Sequence, residues 1–156
     1  MARRTISDIE KIWSNVEGVK KLSDRIVGIG PIGIGLDGVL AWIPGVNIAY
    51  GIGAGAVLMA FAVQAKASPA TLTRMLAYLA ADNLTDAVPV VGWAVDTVFP
   101  GHLMAAKALQ KDIESTHWVE ASEREARASG EHERHVADMR RNPGLRRVVY
   151  LHDGPA

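Results

Sequence analysis

Asp37, Asp82, Asp86 and Asp96 are the only acids in an otherwise apolar stretch running from Ile26 to Ala106. Asp82 and Asp86 stand four apart, so a helix places both carboxylates on one face, where like charges repel unless a cation or proton intervenes. Two readings are open for these acids. One is a buried ion or proton site; the other is structural use, as helix caps beside the glycine-proline turns and as partners of Arg25 and Arg74. A second cluster, His132 and His135 with Glu131 and Glu133, has the spacing for a shared metal ligand. It sits in a strongly charged segment that reads as a solvated helix face, so no metal site is expected.

Other chemistry is excluded by what surrounds the residues that would perform it. Gly28, Gly30 and Gly33 formally match a dinucleotide-binding fingerprint. No strand precedes them, Pro31 interrupts them, and Asn47 stands where an acid is required about twenty residues on. Serines and threonines occupy no nucleophile elbow, no phosphate loop is present, and cysteine is absent. The expectation is a protein that is not an enzyme and needs no cofactor. Lysine plus arginine and aspartate plus glutamate both number 17, leaving no bulk field to attract nucleic acid.

The elements that must carry these residues follow from periodicity. Ile9, Ile12, Val16, Val19 and Ile26 predict an amphipathic helix from Ser7 to Val27, with Ser7 and Glu10 spaced as a capping box. From Gly38 to Ala65 no residue is charged. The part from Gly45 to Ala65, about twenty residues, matches the thickness of a hydrocarbon core and reads as a marginal membrane span. Within it Gly51, Gly53 and Gly55 form a small-residue face suited to close helix packing. Ser68 and Pro69 start a further helix to about Ala87. Aspartates cost about 2.5–3.5 kcal/mol each at bilayer centre, so this half is not expected to cross lipid as a lone straight helix. A mostly polar helix is expected from His102 to Ser129, with Leu103, Ala106, Leu109 and Ile113 as its apolar stripe. Glu131 to Arg141 forms a short basic-ended helix, and Leu145 to Ala156 is either a strand or docking peptide or a free tail.

Sliding the chain on itself so that Asp37 falls on Asp82 brings Ile43 onto Val88, Pro44 onto Pro89 and Val46 onto Val91. Each copy reads aspartate, an apolar run, proline and a small-residue turn: Pro44 and Gly45 in one, Pro89 and Gly92 in the other. This is the pattern of a duplicated helix–proline turn–helix unit. The run Gly35-Leu36-Asp37-Gly38-Val39-Leu40-Ala41-Trp42-Ile43-Pro44-Gly45-Val46 resembles the signature of the family known as domain of unknown function 4112. So do Arg74-Met75-Leu76 and Pro89-Val90-Val91-Gly92 with Asp96 and Phe99. The resemblance implies a small helical, membrane-associated bacterial or fungal protein with no established activity. Where that family continues each proline turn with Gly-Asp, this chain has Asn47-Ile48 and Gly92-Trp93.

The expectation is therefore an all-α, small membrane-associated protein. It divides into an N-terminal amphipathic helix (1–27), a glycine-rich apolar repeat core (28–106) and a polar helical extension (107–156). Its expected role is a non-enzymatic scaffold or partner-binding subunit. Its expected partners are membrane lipid and either further copies of itself or a membrane protein. Basic ends place it in a bacterial cytoplasmic membrane with both termini cytoplasmic. The alternatives are an oligomeric channel or transporter-like protein using the aspartates, and a soluble helical oligomer.

Overall fold

The computed structural model describes residues 4–27, 46–86 and 101–152. Its elements run α1 (Ile6–Val27), α2 (Val46–Gln64), α3 (Pro69–Asp86), α4 (Gly101–Glu114), β1 (Thr116–Ser122), α5 (Glu123–Ser129), α6 (Glu131–Arg141) and β2 (Arg147–His152). The molecule is mostly helical. The all-α expectation is corrected by β1 and β2, which pair in parallel from Thr116 opposite Arg147 to Ser122 opposite His152, with an irregularity after Val119.

The first helix forms as its apolar spacing dictates, and Ile9, Ile12 and Val16 are all buried. Its cap lies two residues earlier than expected. The Thr5 hydroxyl accepts from Asp8 N–H at 3.3 Å and the Asp8 carboxylate accepts from Thr5 N–H at 3.0 Å, a reciprocal box with aspartate in the usual glutamate place. Those hydrogen bonds from Thr5, aided by Lys11, hold the Asp8 carboxyl below its ordinary range. Further along, Gln110 donates to Glu17 at 2.9 Å and fastens α4 to α1, while Lys20, on α1 itself, pairs with Glu17 at 2.7 Å; both lower the Glu17 carboxyl.

Helices α2 and α3 form a hairpin. The inner stripe of α2 (Gly55, Leu58, Ala62), Ala65 just beyond its end, and the inner stripe of α3 (Thr71, Met75, Leu79) are buried. The close approach is at Gly55, where an added Cβ would lie 3.3 Å from Leu79 Cδ2, whereas a Cβ on Gly53 would meet open space. Gly51 also lies in α2. Among the described residues no helix is long and apolar enough to cross a membrane. The span expected from Gly45 to Ala65 is thus corrected. At 19 residues α2 measures about 28 Å. Its inner face is occupied by protein, and Arg4 and Lys66 bind or follow its C-terminus.

Helix α4 is the central post, touching α1, α2 and α3 and burying Leu103, Ala106, Leu109 and Ile113, the expected stripe. It ends at Glu114, fifteen residues before the Ser129 terminus expected from sequence. Thr116, His117, Trp118 and Val119 favour extended backbone once a partner strand is available. That partner comes from the C-terminal segment, which is a strand and has Leu151 in the main core. A parallel pair needs a crossover, supplied here by α5 and α6. Ser122 caps α5, accepting from Glu125 N–H at 3.2 Å, and Gly130 (φ 75°) turns the chain between the two helices.

Gly53 and Gly55 predict opposite responses. Gly53→Ala should raise stability by about 0.5–1 kcal/mol through helix propensity alone. Gly55→Leu should lower it by about 1–3 kcal/mol by overpacking against Leu79. Urea denaturation of both variants checks this, and equal responses would contradict the assigned packing.

Candidate functional site

The densest polar arrangement lies where the α2–α3 turn, the end of α4 and the two strands meet. Helix α2 ends in a paired-bond C-cap: Lys66 N–H donates to Val63 O at 3.1 Å and Ala67 N–H to Ala62 O at 2.9 Å. The residue at the left-handed position is usually glycine, but here it is Lys66, at φ 46°. Two contacts hold it there. Its ammonium donates to Tyr150 O at 2.9 Å, and its carbonyl accepts from Arg147 Nη1 at 2.8 Å. Ser68 then caps α3, its hydroxyl accepting from Thr71 N–H at 3.2 Å.

Asp112, only 9% exposed, sits under this turn. Its Oδ1 accepts from the hydroxyls of Ser68 (2.9 Å) and Thr71 (3.0 Å). Its Oδ2 accepts from Ser68 N–H (3.1 Å) and Arg147 Nη2 (2.5 Å). A carboxylate has about four acceptor sites, so Asp112 retains none for a substrate proton. Arg147 also donates through Nε to Thr116 Oγ1 at 3.0 Å, and Thr116 in turn donates to Asp112 O at 2.6 Å. Burial lowers the Arg147 guanidinium and Asp112 opposes that shift, so the pair is held by mutual charge as well as geometry. No buried side-chain polar atom among the described residues lacks a partner. This hub orients and fastens, and it presents no unoccupied acid, base or nucleophile.

The anticipated residues fall elsewhere. Asp82 and Asp86 lie at the C-terminal end of α3. Asp37, Asp96, Pro44, Gly45, Pro89 and Gly92 lie outside the described residues. His132 and His135 do not share a ligand position. His132 Nδ1 is 3.0 Å from the Tyr150 hydroxyl and His135 Nδ1 is 3.2 Å from His117 Nε2, so both side chains face the sheet. Asp112 itself escaped sequence reasoning because its partners are distant in the chain. Its one local signal is an acid placed between Leu109 and Ile113 on the buried stripe.

Outward from the hub, the hairpin presents a different chemistry. Among the described side chains of α2, the exposed positions are Gly53, Ala56, Val57, Ala60, Val63 and Gln64. On α3, Thr73, Arg74, Leu76, Ala77, Ala80 and Ala81 are exposed. Val57, Val63 and Leu76 are 44%, 64% and 55% exposed, well beyond the partial exposure of a loosely packed core residue. From Gly53 to Ala81 the only charged residues are cationic, Lys66 and Arg74. The hub therefore fastens the turn of a hairpin whose described outer surface is largely apolar.

Two substitutions test this assignment. Asp112→Ala should cost about 3–5 kcal/mol, because it strands a buried guanidinium and several donors; urea denaturation reads this, and a loss below 1 kcal/mol would refute the hub. Lys66→Gly relieves a left-handed backbone worth about 1–2 kcal/mol, yet removes a charge-assisted bond of about 1.5–3 kcal/mol. A small net loss of stability is expected, and a rise in Tm would show that the ammonium tether contributes nothing.

No curated protein and no solved structure matches the chain. A family model does match, from residue 12 in α1 to residue 113 near the end of α4. Asp112 and the hairpin fall inside that match, while Arg147 and the strand pair lie after it. Because the match covers well over half of the 156 residues, the protein belongs to the family described as domain of unknown function DUF4112.

Proposed function

We propose that this protein is a non-enzymatic, self-associating scaffold that docks on a membrane surface through the outer face of the α2–α3 hairpin. The observation that carries this reading is the exposure of Val57, Val63 and Leu76 on a face that, from Gly53 to Ala81, carries only the charges of Lys66 and Arg74. Single exposed apolar residues are ordinary, whereas apolar exposure along two adjacent, charge-poor helices marks an interaction surface. The cations at Lys66 and Arg74 suit an anionic lipid surface.

Magnitudes favour surface docking assisted by assembly. Burying a large apolar side chain is worth about 1.5–3 kcal/mol. Three side chains already half covered thus contribute on the order of 3–4 kcal/mol. That resembles a single weak anchor, which binds reversibly. Joining several copies raises the effective affinity without new contacts, and this is why self-association belongs to the proposal. Surface docking also suits the described helices, none of which is long and apolar enough to cross a membrane.

Flotation with anionic vesicles should carry the full-length protein to the top of a density gradient. The double variant Val63→Asp/Leu76→Asp should remain at the bottom while melting at the wild-type temperature, because both sites are exposed. A wild-type chain that fails to float, or a double variant that floats equally well, rules the reading out.

A further inference from the structure

A pocket of about 370 Å³ lies where α1 meets the end of α4 and the start of β1. Two indoles line it, Trp13 from α1 and Trp118 from β1, with Ile6 and Ile113 adding apolar surface. Its charged residues are Glu10 and Glu114, and no basic side chain lines it. Glu10 is exposed and, among the described residues, makes no hydrogen bond or ion pair. Glu114 accepts from the Trp13 indole N–H at 3.0 Å, a neutral donor that leaves the carboxylate charge unanswered. Neighbouring cations are committed elsewhere. Arg147 stands 6.0 Å from the centre of the Trp118 ring but is paired with Asp112, and Lys11 pairs with Asp8 at 3.6 Å.

We propose that this pocket binds a small organic cation of the trimethylammonium type. A cation over an aromatic face is drawn by the ring quadrupole, and tryptophan is the strongest such ring. Trp118 already has the Arg147 guanidinium over it, so Trp13 is the ring left for the ligand's charge. The hydrogen bond to Glu114 holds that indole in place and polarises it. Glu10 and Glu114 add Coulomb attraction at the same spot. Other ligand classes fit less well. An anion would meet two like charges, and a neutral molecule would gain nothing from either carboxylate. A hard metal ion such as calcium takes about six to eight oxygen ligands, which two carboxylates among apolar walls do not supply. The volume lies within the usual range for small-molecule sites and exceeds a trimethylammonium group, so an aromatic or alkyl body packs on Ile6, Ile113 and Trp118. The site is separate from the hairpin's outer face and does not depend on docking there.

Trimethylammonium groups occur in free metabolites and in phosphatidylcholine, and one experiment distinguishes them. The full chain is titrated with benzyltrimethylammonium and with neutral benzyl alcohol, following the indole N–H signals of its four tryptophans by NMR. In parallel the Val63→Asp/Leu76→Asp variant, whose hairpin face is disabled, is floated with phosphatidylcholine vesicles, with and without Glu10→Gln. Benzyltrimethylammonium should shift the Trp13 and Trp118 signals saturably, and benzyl alcohol should not bind. Glu10→Gln, at an exposed position, should keep the wild-type Tm and weaken binding by about three- to tenfold; Glu10→Asp should retain most of it. If only the phosphatidylcholine vesicles bind, and Glu10→Gln abolishes that binding, the ligand is a lipid headgroup and the site stands. The proposal is overturned if neither probe binds, if Glu10→Gln leaves both the titration and the flotation unchanged, or if benzyl alcohol binds as tightly as the cation.

Discussion

The buried carboxylate of Asp112 is the constraint around which this structure is arranged. Taking a carboxylate out of water is costly unless its charge is answered and its oxygens are filled. Here both conditions are met by residues from two distant parts of the chain. Ser68 caps α3 and Thr71 lies in its first turn, and Arg147 opens β2. One side chain of α4 thereby fixes the start of the hairpin's second helix and the position of the C-terminal strand. The left-handed Lys66 is a consequence of the same arrangement. Its carbonyl and ammonium are both held by β2, and the turn persists without the glycine that such a geometry ordinarily selects.

Fastening of this kind separates two surfaces. The described outer hairpin face is largely apolar. A cleft at the hairpin's turn, by contrast, is lined by charged side chains, Lys66, Arg124, Arg147 and Glu123, and is partly walled by the C-terminal unit. The strand pair that builds this wall would be marginal by itself. It is stabilised by Leu151 in the main core, by a small cluster of Val119, Ala126 and Tyr150, and by the guanidinium bonds of Arg147. Helix α6 has no buried residue and meets the sheet through His132 and His135. The least deeply packed helix therefore approaches its support through polar rings.

Local patterns were legible where the partner of each residue was close in sequence. The three- and four-residue spacing of Ile9, Ile12 and Val16 identifies α1 and its buried side. Ser68-Pro69 marks the start of α3, and the stripe from Leu103 to Ile113 marks the face of α4. The capping box of α1 was misplaced because Thr5–Asp8 and Ser7–Glu10 have the same spacing, and only the shorter aspartate reach of the first is realised. The continuous helix expected to Ser129 fails because Thr116 to Val119 can extend only when β2 lies alongside.

What the sequence determined by itself is the helical character, the inward stripes, the charge-poor centre and, through its motif series, the family. These depend on interactions within a few residues or on composition. The tertiary structure decided the strand pair, the hub and the cleft, each of which joins residues far apart in the chain. Asp112 and Arg147 are unremarkable charges until folding places them in contact. Once in contact and out of water, neither can be left without the other, and that mutual dependence has no signature in local spacing.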